Sequence, residues 1–277
     1  MRCAVLYNGK KAENLQIAHQ ALYLLKAHGA VCEGVFGEPL ELRQLAEIDF
    51  SGCEVAVVLG GDGSILAAGR ALAPYGVALL GVNLGKLGFL AETEPEQLEE
   101  VIPQLISGSY RTEQRMLLSG SLIRKDGSGE SFVALNDLVI NNLEYSRTVQ
   151  LEVTVDGEML HNYQADGIIV ATPTGSTGYA FSAGGPLVAP GTDVLLLVPI
   201  CPHSFFSRPL VIGPNSRVEI CCHGSERGLL TADGQGCCAL QAGDRLQIGA
   251  AEHHVKMVRF GEGHYFSRIK EKLYRNE

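Results

Sequence analysis

Apolar-rich runs of strand length alternate with amphipathic stretches through the first 110 residues. The runs are Cys3–Tyr7, Val31–Phe36, Val55–Leu59 and Val77–Val82. Between the first two, Asn8-Gly9-Lys10 turns the chain, and Leu15, Ala18, Leu22 and Leu25 recur at helical spacing from Asn14 to His28. Gly29 then supplies a helix stop. Ser64–Leu72 also has helical spacing. Unbroken apolar strands separated by helices predict strands buried on both faces, in a parallel sheet with helical crossovers.

The texture changes near residue 110. Strands are predicted at Met116–Ile123, Ser131–Leu135, Val149–Val155, Gly167–Thr172, Val194–Pro199, Arg217–Cys222 and Asp244–Ile248. Turn signals such as Lys125-Asp126-Gly127 and Asp156-Gly157 link them, with few helical patterns between. The predicted fold is an α/β N-terminal domain with a parallel sheet, followed by a β-rich C-terminal domain. The tail, Ile269–Tyr274, is predicted as a short helix or strand packing back on the first domain. The expected division is 1–110 with 260–277, and 111–259.

Composition narrows the function. The chain has 277 residues, 33 of them glycine, and a net charge of −9. An acidic balance argues against a nucleic-acid partner, whose phosphates demand basic surface. It still permits a phosphorylated small molecule held by backbone N–H groups. The opening residues do not make a signal peptide. The longest aliphatic run, Val194–Ile200, is far below the ~20 residues of a membrane span. A cytoplasmic protein without a membrane partner is the expectation. The cysteines fall in adjacent pairs at 221–222 and 237–238, which is not zinc spacing; buried free thiols are expected. No metal-binding triad of histidines stands out, and metal ligands are not assigned.

Three segments carry candidate chemistry. Leu59-Gly60-Gly61-Asp62-Gly63-Ser64 follows a buried strand and opens a helix. Bare glycine backbone and a helix N-terminus suit phosphate oxygens. A carboxylate there repels an anion unless Asp62 holds a metal or accepts a proton from an attacking hydroxyl. The bland alternative is a capped strand-to-helix turn. No P-loop and no dinucleotide fingerprint after the first strand occur. The second segment runs from Asp166 through Thr172-Pro173-Thr174-Gly175-Ser176-Thr177-Gly178-Tyr179-Ala180-Phe181-Ser182 to Gly184-Gly185-Pro186. Its hydroxyls and glycines offer polar groups in a tight space, as recognition of a base or ribose requires, and Tyr179 can stack on a purine. A Ser/Thr-rich turn with Tyr179 in the core is the alternative. The third is Asn136-Asp137, able to pair with an adenine-type edge and to accept from ribose hydroxyls, or else an ordinary turn.

Taken together these segments resemble the NAD kinase family, which phosphorylates the 2′-hydroxyl of the adenosine ribose of NAD. Gly60–Gly63 matches its Gly-Gly-Asp-Gly motif, Asn136-Asp137 its Asn-Asp/Glu motif, and Asp166–Pro186 its long Thr-Pro-Thr-Gly-Ser-Thr segment. Gly85-Lys86-Leu87-Gly88-Phe89, Pro202-His203 and Arg208-Pro209 resemble further family segments. The matches run in order from about 55 to 235.

The resemblance implies that Asp62 is the proton acceptor and that Gly60, Gly61, Gly63 and Ser64 form the phosphate-donor loop. It implies NAD contacts from Asp62, Gly63, Asn136, Asp137, Arg147, Gln164, Thr174, Thr177, Gly178, Ala180, Phe181, Ser182 and Gln235. Tyr179 is implied near the adenine, and Asp166 at the nicotinamide end, often across a subunit contact. Gln164 replaces a residue that is often basic in the family. ATP with Mg²⁺ or Mn²⁺ is the implied donor, with polyphosphate as another, and a homodimer or homotetramer the implied assembly. A lipid kinase of the diacylglycerol or sphingosine type shares the glycine loop and is the alternative enzyme. A non-catalytic nucleotide sensor would gain nothing from the Asp62 charge.

Overall fold

The apolar runs of the first hundred residues form a parallel sheet in the computed structural model, which describes residues 1–7, 12–36, 45, 48–85, 88–143, 148–203, 208–223, 228–261 and 265–274. The chain divides into two compact units, Met1–Arg115 with His253–Glu277, and Met116–Glu252. These junctions lie inside two long strands, Arg111–Ile123 and Arg245–Arg259, rather than at 110 and 260. Strand continuity hides a boundary that composition places at a change of texture.

In the first unit, β1 (Arg2–Tyr7), α1 (Ala12–Ala27), β2 (Val31–Phe36), β3 (Val55–Gly60), α2 (Asp62–Leu72), β4 (Ala78–Asn83) and α3 (Leu98–Ile106) follow in order. The strands lie in the order β2-β1-β3-β4, all parallel. Alternation divides their side chains between two faces. Val5, Val57, Leu59, Leu80 and Val82 pack with Ala18, Ala21 and Leu25 of α1 and with Leu98, Ile102 and Leu105 of α3. Ile65 of α2 lies against Gly81, on the opposite face. Leu15 is exposed, so the stripe of α1 runs through Ala18, Ala21 and Leu25 instead.

The second unit contains β5 (Arg111–Ile123), β6 (Gly129–Ala134), β7 (Asp137–Asn142), β8 (Val149–Val155), β9 (Glu158–Ala165), β10 (Gly167–Ala171), α4 (Tyr179–Ser182), β11 (Leu195–Ile200), β12 (Leu210–Ile212), β13 (Val218–His223), β14 (Gly228–Ala232), β15 (Gln235–Leu240) and β16 (Arg245–Arg259). The N-terminal residues of β5 and the C-terminal residues of β16 belong to the first unit. One sheet runs β12-β11-β10-β7-β14-β15. In the other, β13 pairs antiparallel with β8 and with the first half of β16. Leu138, Ile140, Ile168, Val170, Leu195 and Leu197 of the first sheet pack with Leu151, Val153, Ile220 and Leu246 of the second. The outer face of the first sheet, with Val139, Ile169, Leu196 and Val198, is covered by Ala180 of α4. Asp156-Gly157 and Asp233-Gly234 have positive φ at both residues, as two-residue hairpin turns require. The sequence pattern misses β7, β9, β12, β14, β15 and the second half of β16.

In the first unit the last residues of β16 run parallel to β4 through Lys256↔Ala78 and Met257↔Leu79. The tail is a helix, α5 (Tyr265–Tyr274). Among the described residues no helix is long and apolar enough to cross a membrane. Cys3 and Cys222 are buried free thiols, as expected, but Cys201 is exposed and Cys32, Cys53, Cys221 and Cys238 are half-buried. Cys221 and Cys222 occupy successive strand positions, so one thiol faces the core and its neighbour turns outward.

Candidate active site

In the first unit the chemistry gathers where β3 gives way to α2. Gly61 is the N-cap, and Asp62 is the first helical residue, two positions earlier than the periodicity predicts. Ser64 N–H and Ile65 N–H already bond to Gly61 C=O. A β-carbon on Gly61 or Gly63 would meet nothing within 4 Å, so open space adjoins the backbone at both. That clearance and the positive helix end are what an anion needs.

The Asp62 carboxylate turns away from the helix and accepts two backbone N–H groups, from Phe89 at 3.0 Å and from Leu90 at 3.2 Å. Lys272 Nζ of α5 lies 3.9 Å from Asp62 Oδ2. A β-carbon on Gly88 would overlap the carboxylate, which is why only glycine fits there.

The residues from 88 to 93 are themselves tied down. Glu92 accepts Phe260 N–H at 2.9 Å and pairs with Arg259 at 3.1 Å and Arg268 at 3.2 Å. Arg268 also donates to Phe89 C=O, and Arg259 to Leu90 C=O. Arg259 further faces Glu113 at 3.7 Å, and Glu113 pairs with Arg115. Burial pushes the Arg259 guanidinium down to about 10; Arg115 adds to the fall and Glu92 and Glu113 oppose it. Burial also lowers Arg115.

In the second unit the focus is the loop from β6 to β7. Asp233, in its hairpin turn, accepts the N–H groups of Leu135, Asn136 and Asp137 at 3.0, 2.7 and 3.2 Å. Thr172 clamps the same loop, its N–H on Asn136 C=O and its hydroxyl on Leu135 C=O. A β-carbon on Gly175 would collide with the Asn136 carbonyl. The loop backbone is thus fixed from three sides, while its side chains stay open. Asn136 Oδ1 is enclosed without a hydrogen-bond partner. Asp137 is 4% exposed, and burial pushes its carboxyl up to about 6. The Tyr179 phenol is raised first by partial burial, then by Cys201, Asp166 and Asp137, which brings those groups into electrostatic range of one another. Tyr179 is 43% exposed, not a core residue, and its ring is free to stack.

The second unit brings together Asn136, Asp137, Asp166 and Tyr179; Gly178 adjoins Asn136. Gln164 is exposed on β9, and its C=O accepts His203 N–H at 2.7 Å. Gln235 is exposed where β15 begins. Phe181 and Ser182 are exposed on α4. Arg147 lies outside the described residues, as do Lys86 and Leu87.

Ala180 is fully buried in the core, and its C=O is taken by Gly185 N–H, so its methyl group packs against the sheet. The hydroxyl-rich run is largely internal bracing. Thr172, Ser176 and Thr177 donate to the carbonyls of Leu135, Pro173 and Thr174, and Thr174 is itself buried. Small hydroxyl residues close a tight loop by satisfying its backbone. Sequence reasoning assigned no role to Asp233 or Lys272. Nothing local to Asp233 points to its grip on residues 135–137, and nothing local to Lys272 points to Asp62. Among the described residues no group of three or more His, Cys, Asp or Glu side chains is placed to hold a metal ion.

Known proteins resemble this chain in sequence and fold. The model of the ATP-NAD kinase N-terminal domain matches residues 4–110, and that of the ATP-NAD kinase C-terminal domain matches 135–260. An NAD kinase of Lachnoclostridium phytofermentans is 38% identical over 276 residues, covering 96% of this chain and 95% of that protein. One of Moorella thermoacetica is 42% identical over 233 residues, covering 83% and 74%. Among solved structures, yeast NADH kinase complexed with NADH has a TM-score of 0.86 at 25% identity, covering 100% of this chain and 88% of that one. An NAD kinase from Archaeoglobus fulgidus in complex with ATP has a TM-score of 0.77 at 29% identity, covering 99% of each.

Proposed function

The chain belongs to the ATP-NAD kinase family, and from that premise we propose that it transfers the γ-phosphoryl group of ATP to the 2′-hydroxyl of the adenosine ribose of NAD. The observation that carries the acceptor is the open pair Asn136 and Asp137. A buried carboxyl and an enclosed amide oxygen without partners cost free energy unless a ligand satisfies them. A nucleoside brings hydroxyls and an exocyclic amine to such groups; an acyl chain brings neither.

The 2′-oxygen forms a bond to the γ-phosphorus, the bond from that phosphorus to the β,γ-bridging oxygen breaks, and ADP leaves. The hydroxyl proton passes to Asp62. Most of the work is positioning and charge stabilisation. The two amides on Asp62 fix the direction of its carboxylate before substrate arrives. The free backbone at Gly61 and Gly63 and the N-terminal end of α2 meet the donor phosphates. Tyr179 stacks on the adenine, and Asp166 lies toward the nicotinamide end.

Among the described residues there is no ready protein cage for the divalent metal implied by the family, Mg²⁺ or Mn²⁺. The nearby carboxylate, Asp62, is already engaged by two amides and a lysine. The ion would arrive on the triphosphate, as Mg²⁺ commonly does with only one or two protein ligands, and would screen the phosphate charge.

The test is NADP formation from NAD with ATP and Mg²⁺, run beside diacylglycerol, sphingosine and polyphosphate. NADP formation with no lipid phosphorylation is expected. Lipid phosphorylation without NADP would overturn the reading, and the polyphosphate arm defines the donor.

A further inference from the structure

α5 carries a cation to the one carboxylate of the glycine loop. Lys272 Nζ is 3.9 Å from Asp62 Oδ2 and 4.0 Å from the centre of the Phe89 ring. Phe89 is also the residue whose N–H bonds Asp62 Oδ2. A single ammonium therefore touches both the carboxylate and the side chain of a residue that fixes it. A cation over an aromatic face is attracted to the ring, which limits where a long side chain wanders.

Arg268 stands four residues before Lys272, on the same helix face. It is bonded to Glu92 and to the Phe89 carbonyl. α5 is thus docked on the loop that supplies both amides to Asp62. Lys272 and Asp62 are each about one-third exposed (32% and 33%), so their pair contributes little to stability. Its consequence is directional. The two amides leave one lone-pair site on each carboxylate oxygen. Lys272 stands on the Oδ2 side, while the Gly88 backbone crowds Oδ1, so the carboxylate is confined from both sides.

We propose that Lys272 is a positioning residue for phosphoryl transfer, braced by Phe89, that orients the Asp62 carboxylate to take the acceptor's proton. This rests on the reading of Asp62 as proton acceptor. No proton leaves Lys272 in this step.

The test uses the full-length chain and NADP formation at saturating ATP, Mg²⁺ and NAD. Lys272→Met should lower kcat by about 10- to 100-fold, the scale of a misplaced catalytic group. Its KM for NAD should stay within about twofold and its melting temperature within about 2 °C, a small shift for a surface change. Lys272→Arg should restore kcat to within about threefold, since the charge and the ring contact persist. In an Asp62→Asn background, Lys272→Met should bring no further loss, because the two act as a unit.

Undiminished kcat in Lys272→Met overturns the proposal. So does a rise in kcat, which would make the contact inhibitory, or an equal loss in the Asp62→Asn background, which would place Lys272 on the phosphates instead. If the parent chain makes no NADP, the functional reading fails first. If it makes NADP, Asp62→Asn sharply lowers it and Lys272→Met changes nothing, only this inference fails.

Discussion

Asp62 and Glu92 in the first unit are answered from within the protein, whereas Asp137 in the second is not. Asp62 has two amides and an ammonium; Glu92 has two guanidiniums and an amide. Asp137 is buried with its charge disfavoured, beside the unpartnered oxygen of Asn136. The loop that carries these two residues is nevertheless held by Asp233 and Thr172. The difference separates two ways of preparing for a ligand. One region fixes a reactive group in advance with its own dipoles. The other fixes the backbone and leaves side-chain valence for the ligand to fill.

Substitutions at four positions bear on this contrast. The largest effect belongs to Asp62→Asn, which keeps the shape and removes the proposed proton acceptor. NADP formation should fall by about 10²–10⁴-fold, while NAD binding measured by calorimetry persists. Near-parental turnover would show that the prepared carboxylate has no part in the reaction.

Glu92→Gln comes next. It leaves Arg259 and Arg268 facing a neutral group in a buried network, and loss of one member of a buried ion pair costs about 3–5 kcal/mol. A melting temperature equal to the parent's would mean that the pairing in the first unit is not tight.

Asp137→Asn works in the opposite direction. The folded-state value of about 6 lies above the ~3.9 of an unfolded aspartate, so the folded chain binds this proton more tightly. The stability that Asp137 allows below pH ~4 is lost as pH rises toward ~6. Asparagine carries no such charge. The variant should therefore gain up to about 3 kcal/mol over the parent at pH 7 and nothing near pH 3.5, while NAD binding weakens. Melting curves across this range check the sign; no pH-dependent gain would mean that Asp137 is answered after all.

Thr172→Val is the smallest. It strips a buried hydroxyl from the Leu135 carbonyl and should cost about 1–3 kcal/mol. It should also weaken NAD binding by loosening residues 135–137. Weaker binding at unchanged stability would detach the loop's grip from the fold's.

The parallel sheet was legible because its strands are buried on both faces and read as apolar runs. The helix Leu98–Ile106 carries Leu98, Val101, Ile102 and Leu105 on one face, but Pro103 in its middle masks the pattern. β14 and β15 are short and half-buried, and β16 continues through the polar stretch Glu252-His253-His254, so their alternation is weak. At the site, Asp62 stands in a dense local motif, whereas Asn136-Asp137 is an ordinary dipeptide by itself and is singled out by the family resemblance. Asp233 and Lys272 were not legible, because their partners are distant in sequence and a lone charge carries no sign of what it meets. The hydroxyl run was legible as a special loop but not as self-bracing, since composition does not say whether a hydroxyl faces a ligand or its own backbone.

The close packing at Gly88 has a practical meaning. A methyl group there adds no chemistry, yet it occupies the space of the Asp62 carboxylate and would displace it. A mutational scan would therefore score Gly88 beside the proposed proton acceptor itself.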